Sequence, residues 1–316
     1  MTRVLVVEPI HSDGIAVLEA AGVTLEELAP GCPDSELTEA VARAEAILVR
    51  VRQLSGAVLD GARALRIVSK HGVGCDNIDV AHCTGRGIPV AIAADANAVS
   101  VAEHTMLLML AAARGLREQD HAARAADWGF RATDGGFELA GKTLLVVGLG
   151  RIGQRVVQLA RAFGMRVLGH DPVAQAEGAE PVALDAGLAE ADLVTLHVPL
   201  TGTTAGLFDA ARLAALRPGA VLINCARGGI VDEAALRLAL AEGHIGYYGS
   251  DVFAEEPVPA EDPLLSTPRT VLTPHSAAMT PEAKRAMAVQ AAENILACLD
   301  GRLEPRVVIN RQELGL

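Results

Sequence analysis

Aromatic residues are scarce. Five Phe, two Tyr and one Trp amount to 3% of 316 residues, too few to build stacking platforms for nucleic-acid bases. An excess of basic residues is also missing: 27 Lys and Arg stand against 39 Asp and Glu, a formal net charge of -12. Neutralising a phosphate backbone needs the opposite balance, so nucleic acid is excluded as a partner. Long apolar runs are absent as well. The longest uncharged one, Thr105–Ala113, is far short of the ~20 residues that span a bilayer. At the N-terminus Arg3 leads into Val4–Val7 and then Glu8, which is a short strand and not a secretory leader. No membrane partner is expected. The five cysteines (Cys32, Cys75, Cys83, Cys225, Cys298) are scattered, odd in number and form no CxxC pair. That pattern argues against a disulfide framework and against a metal site, and fits a reducing cytoplasm.

What is present is aliphatic. Hydrophobic residues reach 51% before the 31 glycines are counted, which excludes disorder. The length is about twice the ~150-residue prior for one domain, so two domains are expected. Short aliphatic strands alternate with amphipathic helices. Val4–Val7, Ala46–Arg50, Ile67–Lys70 and Val90–Ala93 read as strands, with helices near Gly14–Ala21, Ser35–Ala44 and Ser55–Ala62 between them. A long apolar helix, Val101–Arg114, precedes a second series: strands Thr143–Val147, Met165–His170, Asp192–His197, Ala220–Cys225, Gly246–Asp251 and Thr270–Thr273, with helices at Gln154–Phe163 and Asp232–Glu242. A last helix runs from Pro281 to Asp300, with Gly301 just past its end. Alternation of this kind implies parallel sheets covered on both faces. The expected fold is α/β with two doubly wound parallel-sheet domains. The second (residues 100–282) is inserted into the first (residues 1–99), which resumes at 283–316.

Gly148-Leu149-Gly150-Arg151-Ile152-Gly153 is a GxGxxG string. By chance alone a chain this rich in glycine carries on the order of 0.3 such strings, so context must decide. Here the string follows one strand and opens a helix, and Asp171 ends the next strand. That order seats a pyrophosphate on a helix N-terminus, where unpaired N–H groups and the helix dipole favour anions. The glycines admit the phosphates, and the carboxylate accepts hydrogen bonds from the adenosine ribose. A carboxylate at Asp171 repels a 2′-phosphate, so NAD is expected in preference to NADP. Arg227, Glu256 and His275 each lie on a loop after a later strand of this series. Parallel sheets bind ligands beyond their carboxyl ends, so these three should converge on one crevice.

Together the motifs Gly148–Gly153 with Asp171, Asn224–Gly229, Asp251–Pro257 and Thr273-Pro274-His275 resemble the D-isomer-specific 2-hydroxyacid dehydrogenases, on the side of the D-3-phosphoglycerate dehydrogenase branch. The likeness extends to Lys70–Asp79, Asn97–His104 and Gly141–Gly153. It implies a Rossmann NAD domain inserted into a flavodoxin-like substrate domain, and dimerisation through the cofactor domain. It also implies Arg227, Glu256 and His275 as the catalytic set. Cofactor contacts are implied at Arg151, Ile152, Asp171, Val198, Pro199, Cys225, Ala226 and Asp251, beside Gly148, Gly150 and Gly153. Hydride transfer between NAD and a 2-hydroxy or 2-oxo acid follows, with His275 as general acid/base, Glu256 holding its other nitrogen and Arg227 orienting the substrate. The loop Gly72-Val73-Gly74 resembles the family segment that binds the substrate carboxylate, and Arg50 matches the branch's arginine near the distal substrate group. Arg52 and Gln53 depart from that branch, so 3-phosphoglycerate, hydroxypyruvate, glyoxylate and a sulfonated 2-hydroxy acid all stay open. The chain stops six residues after Asn310, so a C-terminal regulatory extension and serine feedback are not expected. Two other functions on the same fold compete: an NAD-sensing binding protein without catalysis, and a formate dehydrogenase, which pairs its histidine with glutamine where this chain has Glu256.

Overall fold

The computed structural model describes residues 2–133 and 136–316. Packing divides the chain into two units, Met1–Asn97 with Met279–Leu316, and Ala98–Ala278. The expected boundaries lay at 99/100 and 282/283. The packing units divide a few residues earlier at both points, at 97/98 and 278/279, and the long helix begins at Ala98 where the sequence suggests Val101.

The first unit is built on β1 (Arg3–Val6), β2 (Thr24–Glu27), β3 (Ala46–Val49), β4 (Ile67–Lys70) and β5 (Val90–Ile92). All pairs are parallel and the order is β2-β1-β3-β4-β5, the flavodoxin-like doubly wound order. Ala46–Val49 and Ile67–Lys70 are buried at every residue, as parallel strands covered on both faces must be. The helix Pro281–Leu299 returns to this sheet and buries Ala291, Ala292 and Ile295 beside Val4, Val6 and Leu48. Buried Asn310 locks the return: its Oδ1 accepts from the Val90 N–H at 3.0 Å and its Nδ2 donates to Ile88 O at 3.0 Å.

The second unit carries β6 (Thr143–Val147), β7 (Arg166–His170), β8 (Glu180–Pro181), β9 (Leu193–Leu196), β10 (Ala220–Asn224), β11 (Ile245–Ser250) and β12 (Thr270–Leu272). Their order, β12-β11-β10-β9-β6-β7-β8, is again parallel throughout. Numbered within the unit this is the 3-2-1-4-5-6 order of dinucleotide-binding sheets with one more strand. The helix Ala98–Arg114 sets Val101, Leu108, Met109 and Ala112 against Leu144, Val146, Val221 and Ile223. Each such Val, Leu or Met side chain contributes roughly 1.5–3 kcal/mol on full burial, so burial is the main hold on this helix.

Each sheet therefore has one point where the strand order reverses, between β1 and β3 and between β6 and β9. Loops at the carboxyl ends of those strands open the crevices where doubly wound sheets bind ligands.

Candidate active site

At the second switch point Gly148 follows β6 with φ +97°, a conformation that L side chains rarely adopt. A Cβ on Gly148 would lie 2.6 Å from His197 O, and one on Gly153 would lie 2.0 Å from Gly148 O. Glycine is required at both by close backbone approach. Gly150 differs. A Cβ there meets nothing within 4 Å, and Gly150 caps the helix Arg151–Ala162 without any side-chain hydrogen bond. The N-terminus of that helix is thus an open backbone cradle, which fits a pyrophosphate.

Asp171 lies just past β7. Its Oδ2 accepts from the Leu149 N–H inside the cradle at 2.8 Å, and its Oδ1 accepts from the Val173 and Ala174 N–H groups at 2.9 and 2.8 Å. Burial pushes its pKa up, but the three N–H groups outweigh burial and hold the carboxyl below its usual value. An ionised carboxylate offers about four acceptor sites, so capacity remains for ribose hydroxyls. Val198 packs beside Gly148, and half-buried Ile152 joins the sheet core. Arg151 opens the helix, and Pro199 follows Val198 with its carbonyl accepting from Thr204 Oγ1 at 2.5 Å. Cys225 and Ala226 leave β10 together. The Ala226 N–H is bonded to Asn224 Oδ1 at 3.0 Å, and burial raises the Cys225 thiol to about 12, far from a reactive thiolate.

The proposed catalytic residues sit on the loops after β10, β11 and β12, which are neighbours in the sheet. His275 Nδ1 is 2.6 Å from Glu256 Oε2, while Glu256 Oε1 accepts from the Phe253 N–H at 2.9 Å. Both carboxylate oxygens are therefore placed, and the ring's Nδ1 face is occupied. His275 stands at φ +50°, a left-handed conformation uncommon for a non-glycine residue. Its own N–H donates to Asp251 O and Thr273 O at 2.8 and 3.0 Å. Arg227 follows β10, its Nη1 donating to Ala226 O at 2.6 Å and its carbonyl accepting from Asn224 Nδ2 at 2.9 Å. A Cβ on Gly228 would lie 1.9 Å from Phe253 C, so the arginine loop lies directly on the loop that carries Glu256.

Asp251, an implied cofactor contact, is buried just past the end of β11. In the fold, both of its oxygens serve the histidine loop. Oδ1 accepts from Thr273 Oγ1 at 2.6 Å and the Ser276 N–H at 2.8 Å, and Oδ2 accepts from the Ala277 N–H at 2.8 Å. His104 Nε2 reaches Thr273 Oγ1 at 2.9 Å. The sequence alone assigns no role to His104 or Thr273. The available signal was a histidine in the buried stripe Val101, Thr105, Leu108 of an apolar helix.

In the first unit, Arg50 lies one residue past β3 and not within it. Glu8 accepts the N–H groups of Arg50, Val51 and Arg52 at 2.7, 2.8 and 3.0 Å. Lys70 Nζ donates to Arg50 O and to Asn77 Oδ1, and Asn77 Nδ2 donates to Arg52 O at 2.8 Å. The arginine loop is thus held through both its N–H and its C=O groups. The Arg50 guanidinium donates to Pro9 O at 2.7 Å, whereas Arg52 is paired with Asp34 at 2.5 Å. Gly72, at φ +131°, opens the loop Gly72-Val73-Gly74 immediately after Lys70 and His71. Burial first, and the Arg50 charge second, push the His71 pKa from 6.5 down to about 4. No helix among the described residues is long and apolar enough to cross a membrane.

A doubly wound sheet with a glycine cradle at its switch point and a ribose-ready carboxylate after the next strand defines a dinucleotide-binding α/β protein. The sequence profile described as "D-isomer specific 2-hydroxyacid dehydrogenase, NAD binding domain" matches residues 106–277. This chain belongs to that family, and NAD is its dinucleotide. It is 42% identical over 326 aligned positions to the D-3-phosphoglycerate dehydrogenase of Methanocaldococcus jannaschii, covering 100% of this chain and 62% of that one. The chain spans little more than half the length of the curated relatives it matches, 53% for the Mycobacterium leprae D-3-phosphoglycerate dehydrogenase. Among solved structures, the TT0316 protein of Thermus thermophilus superposes with a TM-score of 0.87 at 36% identity, covering 98% of this chain and 100% of that chain. A D-lactate dehydrogenase from Aquifex aeolicus, complexed with NAD and lactic acid, gives 0.85 at 29% identity, covering 97% and 98%.

Proposed function

We propose that the chain is an NAD-dependent oxidoreductase that interconverts a D-2-hydroxy acid and its 2-oxo acid, with His275 as general acid and base. The observation that carries this reading is the 2.6 Å pairing of His275 with Glu256 on the sheet edge that also bears the glycine cradle. Bound NAD supplies the hydride in one direction and accepts it in the other. During reduction negative charge grows on the carbonyl oxygen, and His275 delivers a proton to it from Nε2. In oxidation the same atom removes the proton. Glu256 holds Nδ1 and keeps the ring in the required tautomer. Arg227 presents a planar fork to the carboxylate and carbonyl of the substrate.

Arg50 and the Gly72-Val73-Gly74 loop are assigned to substrate: the loop to the 1-carboxylate, Arg50 to a polar or anionic tail. The substrate class is a small D-2-hydroxy acid with such a tail, in keeping with relatives named D-3-phosphoglycerate dehydrogenase. Exposed Val99, Leu107, Leu110, Leu116 and Trp128 along Ala98–Arg114 and beyond supply an apolar face for a homodimer. Five free cysteines support a reducing cytoplasm. The test is a panel of 2-oxo acids with NADH, ranked by kcat/KM, including glyoxylate, hydroxypyruvate, and phosphorylated and sulfonated members. Turnover of a tailed 2-oxo acid is the expected result. NADH binding without turnover of any member would leave an NAD-sensing protein instead.

A further inference from the structure

The loop that carries His275 is anchored from below by a chain of side chains that begins on the long helix. Thr273 has one hydroxyl proton, and it donates that proton to Asp251 Oδ1 at 2.6 Å. The 2.9 Å contact between His104 Nε2 and Thr273 Oγ1 is therefore a donation from His104. Asp251 passes the constraint on. Its Oδ1 accepts from the Ser276 N–H and its Oδ2 from the Ala277 N–H, while its carbonyl accepts from the His275 N–H. His275 is thus held between two anchored ends, Thr273 on one side and Ser276-Ala277 on the other, in a backbone conformation that it does not favour by itself. His104 is nearly buried, with a side chain 14% exposed, and Asp251 is buried at 2%. Hydrogen bonds in such surroundings are strong and leave little slack.

We propose that His104 is a positioning residue for the proton relay: acting through Thr273 and Asp251, it fixes the backbone of His275 and so the direction of its imidazole. The proposal rests on the reading of His275 as the general acid and base. Proton transfer tolerates little misplacement, and a shift of about 1 Å in a reacting group can cost on the order of 100-fold in rate. Binding, by contrast, depends on other residues. The signature is therefore a loss in kcat without a loss in affinity.

The test uses His104→Leu, which keeps bulk and removes the donor, and His104→Gln, whose amide can donate from nearly the same place. Thr273→Val breaks the same chain one step further on, and serves should His104→Leu not fold. With the best 2-oxo acid of the panel, His104→Leu or Thr273→Val lowers kcat by about 10- to 100-fold. KM and the NADH Kd stay within about twofold, and His104→Gln returns kcat to within about threefold of the parent. In parallel, nitrogen-15 spectra of the imidazoles in the protein without cofactor are recorded, the His275 signals being assigned by their loss in His275→Gln. Those signals shift or broaden in His104→Leu and are restored in His104→Gln. Parent-like kcat together with unchanged His275 signals in both disrupting variants overturns the proposal. If the parent protein turns over no member of the panel, the activity reading fails and the spectra alone decide whether His104 positions His275.

Discussion

Acidification tests the burial of His71 with a defined sign and size. In the unfolded chain the ring titrates near 6.5, and in the folded first unit burial and the nearby Arg50 charge bring it to about 4. Between these values the unfolded chain binds a proton that the folded one refuses. Stability is therefore fully present above about pH 6.5, falls as the pH is lowered, and levels off below about 4. The span is 6.5 − 4 = 2.5 pH units. At 1.36 kcal/mol per unit the loss is about 3 kcal/mol in all, and about 2 kcal/mol by pH 5. Against a total of roughly 5–15 kcal/mol for a folded domain, that is measurable. His71→Asn removes the titration. Urea unfolding of both proteins at pH 7, 6 and 5 should show the parent losing stability more steeply, with the difference growing toward low pH. Amide hydrogen exchange of peptides from the first unit localises the effect, which matters because Trp128, Tyr247 and Tyr248 all lie in the second unit. His197, pushed down to about 3 by burial, contributes a parallel acid limb there. Equal slopes for the parent and His71→Asn in the first-unit peptides would refute the argument.

Three further outcomes are expected. His275→Gln lowers kcat by about 10²–10⁴-fold, the range of general acid catalysis, while NADH affinity by fluorescence titration stays near the parent value. Asp171→Ala weakens NADH binding and narrows its advantage over NADPH; a parent protein that already uses both equally well would contradict the reading of Asp171. Arg50→Ala raises KM for a 2-oxo acid with a charged tail by about 10- to 150-fold, from the roughly 1.5–3 kcal/mol of a charge-assisted hydrogen bond. Glyoxylate has no such tail and should be spared, so equal losses on both substrates would remove Arg50 from specificity.

Buried parallel strands were plain in the sequence, because burial on both faces writes them as unbroken aliphatic runs. The strands that went unread are β2 and β8. Thr24-Leu25-Glu26-Glu27 and Glu180-Pro181 are sheet edges, and edges carry charge and proline to discourage further pairing. Their polarity is what hid them. The same contrast runs through the site. Gly148–Gly153, Asp171, Arg227, Glu256 and His275 stand out because the proposed chemistry calls for a glycine turn into a helix and for those polar residues after the strands. His104, Glu8 and Asn77 do not, since their roles are hydrogen bonds to partners 169, 42 and 25 residues away. Only the fold brings such partners together.

The two switch points end in different states, and the difference bears on function. After β3, three successive N–H groups form a concave donor set that would suit an anion, and Glu8 already fills it. After β6, the helix Arg151–Ala162 starts at a glycine whose side offers no cap. A Ser, Thr, Asn or Asp at that position is worth about 1 kcal/mol relative to Ala, and other helices of this chain use one: Asp79, Asp209, Asp232, Asp262 and Thr280 each cap with the side chain. On the function proposed above, the uncapped start leaves the cradle open to phosphate, since a side chain there would compete for the same N–H groups. Helices starting after Pro33, Gly115 and Ala183 also lack a side-chain cap; what sets Arg151–Ala162 apart is that its uncapped start follows β6 at the switch point of the sheet, where a Cβ on Gly150 would meet nothing within 4 Å. On that proposal the pyrophosphate of NAD supplies, as ligand, the charge and acceptors that the sequence leaves out.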